Sequence, residues 1–294
     1  MDSEIASATP LLPGMRMLLW IASGLVVLAG IDLFVLTDHT DRTFAWTIDS
    51  GMTAAFLGAG YLSAFSIEYL GARRRTWADA RLAVPAVLVF TLLTLIATLL
   101  HLGKFHLSSP HVLARLAAWL WLMIYVSVPL MMIVLLWRQS RLPRRDPPRT
   151  APLPGPVVWI VGAQAATMLV VGALLFVAPD TVARVWPWPL TQLTGRAVGA
   201  WVFAVGVAAA HATIERDAVR VSIAAPAYAL FGALELVAVT RYGGEMRWDS
   251  PSAWMYVVFL VTVLAMGAGG VVMAARGQMP DPSGGLRPSV GVGS

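Results

Sequence analysis

Apolar residues in this chain gather into eight blocks of about 20, near positions 17–36, 52–70, 82–101, 112–137, 156–178, 194–213, 220–240 and 253–275. The stretches between them are short and rich in Gly, Pro, Ser and Arg. A helix of ~20 residues spans a hydrocarbon core of ~30 Å. Inside lipid every backbone polar group must be satisfied by the chain itself, which leaves helices or closed barrels. The ten-residue alternation of a barrel strand is absent. The pattern therefore predicts an all-α membrane protein with eight transmembrane helices.

The blocks also repeat. Moving the segment 47–111 forward by 141 positions lays it without a gap on 188–252, and fourteen positions are then identical. They include Thr53/Thr194, Gly58/Gly199, Ala59/Ala200, Pro85/Pro226, Phe90/Phe231, Gly103/Gly244 and Ser109-Pro110/Ser250-Pro251. Outside that window, Leu33-Phe34-Val35 with Asp38 matches Leu175-Phe176-Val177 with Asp180, and Ala118-Trp119 matches Ala253-Trp254. An even number of helices per unit gives both units the same orientation, so the expected architecture is two parallel-oriented four-helix repeats. Their boundaries are 1–137 and 157–276. The segment 138–156, with six prolines among arginines, reads as an extended, solvated cytoplasmic linker. The Gly/Pro-rich tail 277–294 reads as disordered.

Composition agrees with this solvent: 58% of residues are hydrophobic and 13% charged, against ~25% charged in ordinary soluble domains. The net charge of +5 has a topological source. Fourteen of the 21 Lys and Arg residues fall on the side of both termini and the even-numbered loops, with clusters at Arg73–Arg75 and Arg138–Arg149. The positive-inside rule then places both termini in the cytoplasm of a bacterial inner membrane. Met1 to Pro10 carries Asp2 and Glu4 in place of a cationic leader, so the first helix is expected to be retained. The expected partner is the bilayer, with anionic lipid at the arginine clusters as a secondary expectation; nucleic acid is not expected.

The stretch Phe176-Val-Ala-Pro-Asp180 through Trp186-Pro-Trp-Pro-Leu190 to Thr194-Gly-Arg-Ala-Val-Gly-Ala-Trp201 resembles bacterial four-helix membrane modules of the DoxX-like kind. In the first half, Phe44-Ala-Trp-Thr-Ile48 and Met52–Tyr61 resemble multi-pass proteins of GC-rich bacteria. The resemblance implies a membrane location and a four-helix unit. It implies no activity.

Ionisable residues within apolar blocks are the first functional candidates, because each is costly in hydrocarbon. Arg196 and Glu235 fall at overlapping depths in the sixth and seventh helices. At the 141-residue offset they correspond to Ala55 and Thr94, so the second half alone carries both charges. That pattern predicts an Arg196–Glu235 ion pair near the outer leaflet, as a structural lock or part of a binding site. Asp32, late in the first helix, has an apolar counterpart and is open to a neighbouring helix, a cavity, a proton or water. Glu68 is expected to form a solvated pair with Arg73–Arg75, and His211 to be an interfacial residue. His101, Lys104, His106 and His111 share an outer loop, but spacings of five do not suit a compact metal site. Pro85 and Pro226 are expected to kink helices three and seven around any site between the repeats.

With no cysteine there is no thiol redox chemistry and no cysteine-ligated cluster. No phosphate-binding glycine loop or zinc-protease motif is present, and no cofactor is expected. The expectation is a non-catalytic polytopic membrane protein that binds a lipid, small molecule or membrane partner. The alternative is a small-molecule or ion transporter with its site between the two repeats.

Overall fold

A computed structural model of the protein describes residues 8–275. The start of the N-terminal segment and the tail expected to be disordered lie outside the described residues. The described chain is all-α, 78% helical and without strands. Its eight long helices are α1 (Pro13–Val35), α2 (Gly51–Arg73), α3 (Ala83–Leu100), α4 (Val112–Ser140), α5 (Gly155–Val177), α6 (Gln192–Glu215), α7 (Ala224–Arg241) and α8 (Pro251–Ala275). Six of them, all but α2 and α7, are long and apolar enough to cross a membrane.

The exceptions have a physical reason. Every residue of α2 from Gly51 to Tyr61 is buried, so the first half of this helix is surrounded by protein on all sides. It packs on α1 and on α7, and α7 packs on α2 and α8. A helix segment shielded by other helices has no need of a lipid-facing surface, and α2 and α7 each carry a buried carboxyl group that lowers their apolarity: Glu68 in α2 and Glu235 in α7. The peripheral helices are the reverse. Along α4, Leu113, Leu116, Leu120, Met123 and Leu130 are exposed, as are Trp254, Met255 and Val258 on α8. Soluble monomers rarely show apolar patches of that extent.

The helices pack crosswise. Within each half the close pairs are α1 with α2, α3 with α4, α5 with α6 and α7 with α8. Between halves they are α2 with α7 and α3 with α6. Glycines permit several of these approaches. A Cβ on Gly58 would lie 2.5 Å from the Phe34 nitrogen of α1, and one on Gly172 would lie 2.5 Å from the Phe203 nitrogen of α6. Gly60 lies against the Trp201 ring, 3.0 Å from where its Cβ would be. Positions 60 and 201 correspond at the 141-residue offset, so equivalent positions touch each other.

The loops show the same correspondence. The isolated bridges Pro10–Thr76 and Pro152–Asp217 hold the chain entering α1 and α5 against the turns after α2 and α6. Four-residue helices follow at Trp77–Ala80, capped by the Thr76 hydroxyl, and at Ala218–Val221, capped by Asp217. Pro85 and Pro226 each lie at the third residue of α3 and α7. In the first turn a proline removes an N–H that has no helical partner anyway. The two prolines therefore start these helices and do not kink them.

The main core runs through both halves. Trp201 of α6 stacks at 4.1 Å on Phe90 of α3 and meets Tyr61 of α2 edge-on at 5.0 Å. The Tyr61 and Tyr125 hydroxyls hydrogen-bond at 2.6 Å. Trp188, fully buried, donates its indole N–H to Thr53 Oγ1 at 2.9 Å across the halves.

Candidate ligand cavity between the two halves

The expected Arg196–Glu235 pair is not formed. Arg196 Nη1 lies 2.8 Å from His101 Nε2, at the end of α3. That contact assigns the ring proton to Nδ1, leaving Nε2 to accept. Burial, then the Arg196 and Lys104 charges, lower the His101 pKa from its ordinary value. Glu235 is fully buried elsewhere, accepting from the Tyr256 hydroxyl of α8 at 2.7 Å with Oε2, while Oε1 has no partner. The reason lies in the packing: α6 sits chiefly on α5 and α3, α7 on α8 and α2. Consecutive helices of equal depth here face different neighbours. Asp32 is partly exposed in the last turn of α1, beside the Thr43 side chain, and meets neither of the other two.

The histidines are also dispersed. His106 bridges Thr47 Oγ1 and the Phe44 carbonyl, each at 3.0 Å. His211 joins an ionic cluster at the arginine-rich end of the molecule, 3.3 Å from Glu215. There Glu215, 2% exposed, receives Arg81 through Nε and Nη2 and Arg220 through Nη1 at 2.9 Å. Arg81 Nη1 also donates to Asp146 of the connecting segment at 2.6 Å. Arg220 Nη2 donates to the Pro147 carbonyl, and Asp217 Oδ2 accepts from Thr150 and Ala151 N–H groups. The connecting segment 141–154 is non-helical and largely exposed, yet its backbone is hydrogen-bonded at Pro143, Arg145, Pro147, Thr150, Ala151 and Leu153.

Glu68 departs most from expectation. It is 3% exposed, and its Oε2 is buried with no hydrogen-bond partner. The neighbouring arginines are engaged elsewhere: Arg73 with the Tyr69 hydroxyl and Arg74 with Ser222 Oγ. Glu68 instead lines a cavity of about 110 Å³ between the two halves, formed by residues of α1, α2, α3, α5, α6, α7 and α8. Its walls are almost wholly apolar. Corresponding residues face it from both halves: Ala83 and Ala224, Ala86 and Ala227, Phe90 and Phe231, Gly60 and Trp201.

Three lining positions break that symmetry by polarity. Glu68, Ser63 and Tyr228 correspond to Ala209, Ala204 and Val87. Ser63 is satisfied by the Ala59 carbonyl at 2.6 Å. The Tyr228 hydroxyl, like Glu68 Oε2, is buried without a partner. Unmatched buried polar atoms are uncommon and costly. Two of them at one apolar cavity constitute a place where a ligand's polar group would be accommodated. Tyr228 escapes a search confined to charges, but the same offset comparison that singles out Arg196 would have found it. Both groups lie toward the arginine-rich end: Glu68 five residues before the end of α2 and Tyr228 four residues after the start of α7.

No family model matches this chain, and no curated protein or solved structure is similar to it.

Proposed function

We propose that this is a non-catalytic polytopic membrane protein that binds an apolar small molecule or a lipid segment in the cavity between its halves. In this reading all eight long helices span the membrane, arranged as two parallel four-helix repeats with both termini in the cytoplasm. Crosswise packing supports it. The 141-residue offset exchanges α2–α7 with α6–α3, as a two-fold axis along the membrane normal would, and the Gly60–Trp201 contact between equivalent positions is what such an axis would produce. Anionic lipid headgroups would meet the exposed arginines at the cytoplasmic ends. The observation that carries the binding function is the pair of unsatisfied polar atoms, Glu68 Oε2 and Tyr228 Oη, at an apolar cavity.

The test is thermal denaturation of the purified full chain in detergent with small apolar probes such as toluene. A ligand at 100 times its Kd adds about 2.7 kcal/mol to stability. Ala227→Phe, which fills the cavity, should abolish the response. An equal response in that variant would place binding elsewhere.

Small-molecule transport is the second reading, favoured by the cavity's position between the halves. The apolar lining weighs toward binding, since a conduction path needs polar groups along its length. Uptake of a stabilising probe into proteoliposomes, lost in Ala227→Phe, would decide for transport.

A further inference from the structure

Resting on the cavity-binding reading, we propose that the ligand is a small lipophilic amine, its ammonium group set against Glu68 and its apolar body among the aromatic rings. Four observations converge on that class. The first is the lone carboxyl group of Glu68, which no cation of the described chain meets. A buried carboxyl group without a cation favours its neutral form, so an ammonium group, which donates to it and holds it ionised, is the complement that the cavity lacks.

The second is the lining. Phe90, Trp201, Tyr228, Phe231 and Phe259 supply five rings to one cavity. Aromatic faces attract cations within ~6 Å, more strongly where water is excluded. The third is size. A cavity of about 110 Å³ is smaller than the ~150 Å³ engineered cavity that admits benzene. The buried part of the ligand is thus no larger than one ring or a short alkyl group. A two-chain lipid cannot be seated whole.

The fourth is what the site rejects. A fatty acid or phosphate group would bring its own negative charge into an apolar cavity whose lining holds no cation to offset it. Tyr228 can accept from an amine N–H with its oxygen, or donate to a hydroxyl, so it tolerates both an amine and an alcohol.

Four probes of one shape separate these terms: benzylamine, benzyl alcohol, toluene and benzoate, each titrated against the full chain in detergent by thermal shift. The expected order is benzylamine tightest by at least tenfold, then the alcohol and toluene, with no response to benzoate. Glu68→Gln should cut benzylamine affinity at least tenfold, a far larger change than it makes to toluene affinity. The wild-type ranking alone tests the proposal if that variant does not fold. Benzylamine binding no tighter than toluene would overturn the amine assignment and leave the apolar cavity reading intact. Binding of none of the four would overturn both.

Discussion

Glu215 offers the most quantitative test of what holds the two halves together. Its carboxylate is 2% exposed and receives three guanidinium hydrogen bonds, two from Arg81 in the first half and one from Arg220 in the second. Glu215→Gln keeps the shape and removes the charge. Arg220, 4% exposed, and Arg81 are then left sharing Asp146, whose side chain is 37% exposed and correspondingly screened. Removing one partner of a buried pair costs about 3–5 kcal/mol. The partial compensation by Asp146 puts the expectation at the lower end, about 3 kcal/mol. Arg81→Met should cost less, about 1–2 kcal/mol, because the Glu215–Arg220 contact survives it. Replacing all three by Leu and Met removes the charges together, and such replacements are often neutral or stabilising. Equilibrium unfolding in mixed micelles, monitored by tryptophan fluorescence, would measure each variant. A loss below 1 kcal/mol for Glu215→Gln, or a triple variant weaker than Glu215→Gln, would refute the reasoning.

Gly58→Leu should prevent α1 from docking on α2, because even a Cβ there meets the Phe34 backbone at 2.5 Å; yield of folded protein by size-exclusion chromatography reports it. Thr53→Val leaves the buried Trp188 N–H unpaired and should cost about 1–3 kcal/mol in the same unfolding assay. His101 has a folded pKa below its unfolded value of about 6.5. The unfolded state therefore takes up the proton first as pH falls. Its contribution is intact above about pH 6.5 and lost below it, so wild-type Tm should fall more steeply than that of His101→Asn between pH 7 and 5. Single cysteines at Ser140 and Ser108 in this cysteine-free chain should react with an impermeant thiol reagent from opposite faces of the membrane.

Helix positions were legible in the sequence because apolar block length and the shared Gly and Pro register both bear on them directly. Gly58, shared with Gly199 at the 141-residue offset, sits where α2 comes closest to the α1 backbone. The partners of the ionisable residues were not legible. Depth follows from counting along a helix, but direction around its axis depends on which helix lies beside it. Arg196 and Glu235 share a depth, and the expectation failed because α6 and α7, although consecutive, turn toward opposite partners. Glu68 was misplaced for a related reason. Three arginines follow it in sequence, yet helix packing turns its side chain to the cavity between the halves. What the repeat did offer was a way of ranking positions by their difference between halves, and applied to hydroxyls as well as charges it reaches Tyr228.

Crosswise packing also imposes an order on biogenesis. α2, with a buried carboxyl group and outside the set apolar enough to cross alone, is synthesised early with α1 beside it. Its other main neighbour, α7, emerges roughly 170 residues later, on the order of 10–30 s at ribosomal rates of ~5–20 residues per second. During that interval the newly made first half has no cover for the faces that will meet α6 and α7. If all eight helices span the membrane, as proposed, the nascent chain would depend on the insertion machinery to shelter α2 until translation of the second half is nearly complete, and a ribosome stall in the connecting segment would leave α2 without its α7 neighbour.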